Sequence, residues 1–326
     1  MNSIEIEGYK SIRKASIDLN PINILIGPNG SGKSNFLSFF EFLNNLYERK
    51  LKAYVALRGG VDKMLYQGSK VANTIYARIQ FDKNAYAFEL AKSETGFIFT
   101  KEELWHDKDS GTNKTTNISN YRTEAGIKTS NLTLADDLRG HMNSFKQYHF
   151  HDAGRNSLFS KLSHIQNDIY FLYDRGENLA AFLFNIQNQN PIVYNRIVGT
   201  VQSIAPYFSD FYFLPNNAGY IQLQWQDKYN ATIYGASDLS DGTIRFIALA
   251  ALFLQPELPS TIIIDEPELG LHPHGISKLA AMIRFAAQNH TQVIVATQSE
   301  DLLNHFESKD IITVDQRNGE TLFRRP

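Results

Sequence analysis

Eight consecutive residues, Gly27-Pro28-Asn29-Gly30-Ser31-Gly32-Lys33-Ser34, have the spacing G-x-x-x-x-G-K-[ST]. The glycines let successive backbone N–H groups turn to one side and form a nest for an anion. Lys33 adds a cation that can reach β- and γ-phosphates, and the Ser34 hydroxyl is a hard donor suited to Mg²⁺. A second group, the acidic pair Asp265-Glu266, ends an apolar run. There the first carboxylate can hold Mg²⁺ through water and the second can orient or deprotonate an attacking water. A third stretch, Leu239-Ser240-Asp241-Gly242-Thr243, precedes a helical pattern. Ser240 or Asp241 suits the helix N-cap, and a capped N-terminus is also a place where phosphate binds.

These groups need elements to hold them. Residues 22–26 read as a buried strand, and Phe36, Phe39, Phe40, Phe42, Leu43 and Leu46 as the apolar face of a helix. The phosphate pattern thus lies between strand and helix, where the N–H groups of the helix start point at the ligand. The run Thr261-Ile262-Ile263-Ile264-Asp265 reads as a buried parallel strand with its acids at the C-terminal edge, where open α/β sheets bind ligands. Helices are expected at 243–253 and 276–287, a buried strand at 292–296, and a strand at 311–314 that closes the sheet.

Between these parts the pattern changes. Ile4, Ile6, Ile12, Ile17 and Leu19 outline short strands, and residues 73–104 alternate with period two, as antiparallel strands do. Residues 107–131 are rich in Asn, Thr, Ser and Gly, which predicts a surface loop or mobile tip. Helical patterns follow near 134–145, 178–187 and 192–204, and strand-like runs at 211–214, 221–225 and 231–234. The expected organisation is a split core, 1–82 with 236–326, interrupted by an α+β lobe at 83–235. No repeat or heptad stretch is present, so a long coiled-coil arm is not expected.

Composition excludes several classes. With no cysteine among 326 residues, disulfides and thiolate metal sites are impossible. A formal net charge of −2 argues against a generally basic nucleic-acid binder. No apolar run approaches the ~20 residues of a membrane span, and the cytoplasm is the expected compartment. The 22 Phe and 16 Tyr fit a large buried core.

The order of phosphate loop, long insertion, LSDGT, IIIDEPELGLHP and VIVATQS resembles ABC-type ATPases of the SMC/RecF/OLD branch, nearest to stand-alone bacterial AAA-labelled ATPases. Gly8-Tyr9-Lys10-Ser11-Ile12, Tyr148-His149-Phe150-His151-Asp152 and the stretch from Asp238 to Phe246 are similar to that family as well. The resemblance implies an α/β fold, a P-loop NTPase head of ABC type with a mixed sheet and an inserted α+β lobe. It also implies ATP and Mg²⁺ as ligands, and a homodimer that sandwiches two ATP molecules. Gly27, Asn29, Gly30, Ser31, Gly32, Lys33, Ser34 and Asn35 would bind the nucleotide, Ser34 and Asp265 the Mg²⁺, and Glu266 would be the general base. Ser240, Asp241 and Gly242 would form the loop that meets the γ-phosphate of the other subunit, with Asp241 turned from the phosphate or capping its helix. Glu268-Leu269-Gly270-Leu271-His272 would link the two sites. Gln298 stands where many relatives have histidine; it can donate a hydrogen bond to the γ-phosphate but carries no proton, which implies slow turnover.

For the lid glutamine of that superfamily, Gln67 and the segment 148–152 are both candidates. His272 and His274 read as structural. Residues 148–152 read as a strand on which His149 and His151 share a face and Asp152 opposes them, the two histidines forming a hydrogen-bonded core pair rather than a metal site. Relatives usually continue with a further C-terminal segment where this chain stops at Leu322-Phe323-Arg324-Arg325-Pro326, which implies either that the segment is missing from this form or that the lineage is short. The setting implied is bacterial defence or genome maintenance with an effector, a nuclease or toxin, encoded nearby. The alternative is a RecF-like DNA clamp or repair module with slow turnover. A nuclease is disfavoured because the remaining carboxylates form no recognisable cluster. A transporter is disfavoured because the insertion replaces the membrane-docking surface.

Overall fold

The computed structural model describes residues 1–107, 113–118, 121–150 and 157–326. In chain order the elements are β1 (Ser3–Tyr9), β2 (Ile12–Asp18), β3 (Ile22–Ile26), α1 (Lys33–Tyr47), α2 (Leu51–Leu57) and α3 (Val61–Met64). Then come β4 (Thr74–Phe81), β5 (Asn84–Ser93), β6 (Gly96–Asp107), β7 (Asn113–Asn117), α4 (Thr133–Met142) and β8 (Lys146–Tyr148). These are followed by β9 (Ser163–His164), α5 (Leu179–Gln189), α6 (Pro191–Ile204), β10 (Phe208–Tyr212), β11 (Tyr220–Ile221), β12 (Gln224–Asp227) and β13 (Ile233–Gly235). The last are α7 (Asp241–Leu254), β14 (Thr261–Asp265), α8 (Pro273–Gln288), β15 (Gln292–Thr297), α9 (Glu300–Leu303), β16 (Ile311–Arg317) and β17 (Glu320–Arg324). Two compact units share them: Met1–Gln147 with Ser260–Ile263 and Ser308–Pro326, and Tyr148–Pro259 with Ile264–Glu307. This division falls at 147/148, whereas 82/83 lies in the turn between β4 and β5.

In the first unit an antiparallel sheet has the order β2-β1-β4-β5-β6-β7. Its strands bury alternate residues (Ile4 and Ile6; Ile75, Ala77, Ile79 and Phe81), as a half-covered sheet demands. α1 packs its Phe face here, with Tyr9 meeting Phe39 at 5.0 Å and Phe42 at 5.5 Å between ring centroids. A mixed sheet carries the phosphate strand: β3 pairs parallel with β16, and β16 pairs antiparallel with β17. The strand expected at 311–314 therefore does not close the sheet, because a tight Asn318-Gly319 hairpin adds β17 beyond it.

The polar stretch 107–131 is also not a plain surface loop. Residues 113–117 form β7 on the edge of the sheet, Glu103 facing Asn117. Ala125 and Ile127 are buried. The fully buried Glu102 carboxylate holds them, accepting from Gly126 N at 2.9 Å, Ile127 N at 3.1 Å and Tyr86 OH at 2.9 Å. Glu124 in turn accepts from Leu51 N and Lys52 N at the start of α2. Deleting the whole tip would remove both anchors. Residues 108–112 and 119–120 of that tip lie outside the described residues.

The second unit holds α5 to α8, the antiparallel sheet β10-β12-β13 and the pair β9-β11. From Thr243 to Leu254, α7 is buried at every position, because it is apolar on all sides except at Arg245 and Thr243. The expected strands at 211–214 and 221–225 differ in extent: 208–212 is one strand, and 221–225 divides between β11 and β12. The strand expected over 148–152 ends at Tyr148, and His151 and Asp152 lie outside the described residues. No helix among the described residues is long and apolar enough to cross a membrane.

Candidate functional site

The phosphate loop leaves β3 at Gly27 and enters α1 at Lys33. Gly32 is the helix N-cap at φ 106°, a left-handed conformation that favours glycine, and it offers no capping side chain. No side chain therefore caps the first N–H groups of α1. Two further approaches exclude side chains from this loop. A Cβ on Gly27 would overlap the Val314 carbonyl, and one on Gly32 the Thr321 side chain. β16 and β17 therefore back the loop. Thr321 Oγ1 bonds Ser11 Oγ at 2.7 Å, and Asn35 Nδ2 donates to that same Ser11 at 2.7 Å.

Lys33 is buried, its Nζ donating to Gly27 O at 2.6 Å and Pro28 O at 3.0 Å. The cation thus lies along the inner side of the loop. Ser31 Oγ is buried and meets no hydrogen-bond partner among the described residues. Pro28, Asn29, Gly30 and Ser34 are exposed, so all eight expected nucleotide-contacting residues from 27 to 35 share one loop–helix junction. Gln67 belongs to the same unit, at φ 50°, donating to Tyr66 OH and to Asn318 O of the β16–β17 hairpin.

The acids sit in the second unit. Beyond β14, Glu266 takes φ 44°, a left-handed conformation that costs a non-glycine residue about 1–2 kcal/mol. Its N–H donates to Ala296 O of β15 at 2.8 Å, and its carboxylate accepts from the Gln298 amide. The expected base and the expected switch residue are therefore in contact. Two residues on, Glu268 points inward at 8 % exposure and accepts from Thr297 Oγ1. Burial pushes the Glu268 carboxyl up from the usual range, opposed in part by the Thr297 hydroxyl.

Ser240 caps α7, its Oγ accepting from Thr243 N at 3.2 Å, so the capping role falls to Ser240 and not to Asp241, which begins the helix. A Cβ on Gly242 would overlap the Gly270 carbonyl. Arg245, one turn on, donates to Phe150 O at 2.7 Å and to Leu269 O. The capped helix, the 266–271 turn and the chain at Phe150 are thus joined through one guanidinium. Its pKa is lowered by burial, while Asp241 and Glu268 act to keep it charged. His272 and His274 are exposed on either side of Pro273 at the start of α8.

Sequence reasoning missed Arg245, Thr297 and the inward turn of Glu268. A charged residue inside an otherwise apolar helix was the available signal for Arg245. Nothing comparable distinguishes Thr297.

A P-loop between strand and helix, a mixed sheet and a capped helix before a strand-end acid pair define an ABC-type ATPase head. The chain belongs to the family described as "AAA domain, putative AbiEii toxin, Type IV TA system", whose model matches residues 22–304. It is 28% identical over 102 residues to DNA replication and repair protein RecF of Psychromonas ingrahamii, covering 31% of this chain and 26% of that protein. It is 31% identical over 100 residues to urease accessory protein 2 of Cryptococcus neoformans var. grubii, covering 29% of this chain and 8% of that protein. The chain thus spans a small part of the curated relatives it matches. Its fold is similar to an SMC head bound to the C-winged helix domain of ScpA (TM-score 0.61, 15% identity, 99% of this chain and 96% of that one). It is similar also to the Pyrococcus furiosus Smc head with an extended coiled coil bound to the C-terminal domain of ScpA (TM-score 0.58, 15% identity, 99% and 95%).

Proposed function

We propose that this chain is a Mg²⁺-dependent switch that binds and hydrolyses ATP, dimerises around it, and acts with an effector, a nuclease or toxin, in defence against phage. The observation that carries the reading is the phosphate loop: an uncapped α1 N-terminus behind left-handed Gly32, with Lys33 inside the loop. Family membership and the head fold support it. Gly27, Asn29, Gly30, Ser31, Gly32, Lys33 and Asn35 would hold the phosphates. The donor pair of a hydroxyl and a carboxylate, Ser34 and Asp265, suits a hard divalent cation. Mg²⁺ held there would neutralise charge on the transferring phosphoryl group. Glu266 would take the proton of the attacking water, with the Gln298 amide orienting its carboxylate. Ser240, Asp241 and Gly242 would meet the nucleotide of a second copy.

An RecF-like DNA clamp with slow turnover is the second reading. The neutral Gln298, exposed and engaged with Glu266, favours it. An ATPase assay with and without DNA separates the two, since only the clamp should respond to DNA alone. For either, Lys33→Ala should weaken ATP binding by about 100-fold, because the cation in the nest is lost. Unchanged nucleotide affinity by calorimetry would refute the phosphate-loop assignment. Glu266→Gln should bind ATP normally and stop hydrolysis, and gel filtration with ATP should then show more dimer than for the parent protein.

A further inference from the structure

The turn that follows β14 is tied to the end of β15 by two side-chain contacts. Glu266 accepts from the Gln298 amide, and Glu268 accepts from the Thr297 hydroxyl. The second pair is buried, Thr297 at 0% and Glu268 at 8% exposure. Thr297 Oγ1 also accepts from Ser299 N at 2.9 Å. One hydroxyl therefore fixes the backbone on both sides of Gln298, while Gln298 itself holds the Glu266 carboxylate.

Stability alone does not account for the acid at 268. A buried carboxylate is expensive to desolvate, and apolar replacements of buried charges are often neutral or stabilising. Moreover, Glu268 Oε2 is buried with no hydrogen-bond partner among the described residues. The backbone of the turn has its own bonds, Leu269 N to Glu266 O and Leu271 N to Glu268 O, so the side chain is not needed to close it. What the side chain adds is a fixed link to Thr297. A left-handed residue such as Glu266 persists only where its surroundings over-determine it.

We propose that Glu268 and Thr297 form a latch that holds Gln298 against Glu266, so that Glu268 is a positioning residue for water activation. This inference rests on the ATPase reading for its consequence, but not for the latch itself. Glu268 never touches the reacting atoms; it sets the backbone from which the Gln298 amide reaches the base.

Two measurements test it. In nucleotide-free protein, Thr297→Val should speed hydrogen exchange at the Ser299 and Gln298 amides, while Thr297→Ser should leave exchange at the parent rate. Unchanged exchange in Thr297→Val would overturn the latch whatever the activity. In steady-state ATPase assays with Mg²⁺, Thr297→Val, which removes the donor, and Glu268→Leu, which removes the acceptor, should each lower kcat by about tenfold, with KM within about twofold. Thr297→Ser should restore kcat, since the serine hydroxyl can make both bonds. Because Glu268 acts through Gln298, Glu268→Leu should cost nothing further in a Gln298→Ala background. Multiplicative losses in that double variant would overturn the positioning role. A parent protein that hydrolyses no ATP, with exchange at Ser299 still released by Thr297→Val, would sink the ATPase reading and leave the latch standing.

Discussion

Gly242 shows how one residue can answer to two demands. As part of LSDGT it is expected to meet a phosphate, yet its Cα already faces the Gly270 carbonyl so closely that no Cβ fits. Gly242→Ala must push either the α7 N-terminus or the 266–271 turn aside. Overpacking of this kind costs about 1–3 kcal/mol. Urea unfolding of Gly242→Ala without nucleotide should therefore show a lower midpoint at unchanged slope. A phosphate contact alone predicts no change in the absence of ATP, so an unaltered midpoint would return Gly242 to a purely ligand-facing role. Asp241 has the simpler part. It starts the helix at its positive end, which favours a carboxylate.

At the scale of elements, what was legible depended on whether the signal was local. The strand–loop–helix around Lys33, the apolar α7 and the β14 run followed from periodicity and spacing, and the structure has them. β17 was not legible: its Thr-Leu-Phe core is short and lies among charges, and only its pairing with β16 makes it a strand. The segment 124–129 misled for a related reason. Its composition is polar, but a distant carboxylate, Glu102, supplies the acceptor that its buried N–H groups need. Candidate site residues could be named from the sequence, but the links among them could not, because the contacts of Glu268 and Arg245 join positions far apart in the chain. Glu102→Ala should strand those N–H groups and the Tyr86 hydroxyl, costing about 2–4 kcal/mol. Hydrogen exchange should then rise at Gly126 and Ile127 first. Loss of stability without faster exchange there would mean that Glu102 serves the sheet rather than the tip.

For the whole molecule, the proposed dimer makes a prediction that no single chain can meet. Ser240→Arg should block hydrolysis while leaving ATP binding to the isolated chain intact. Mixed with Glu266→Gln, it forms a hybrid in which one site carries both lesions and the other carries neither. Partial recovery of ATPase on mixing two inactive variants is the expected result; no recovery at any ratio, with hybrids shown to form, would mean that the two sites cannot fire singly. Independent hydrolysis by each Ser240→Arg chain would exclude completion in trans. The backing of the phosphate loop has a consequence in time. Gly32 abuts Thr321, and Ser11 bonds Thr321 across 310 positions. A ribosome adding about 5–20 residues per second makes the loop and then takes roughly 15–60 s to deliver the strand that supports it. For that interval the growing chain carries the motif without the strand that backs it.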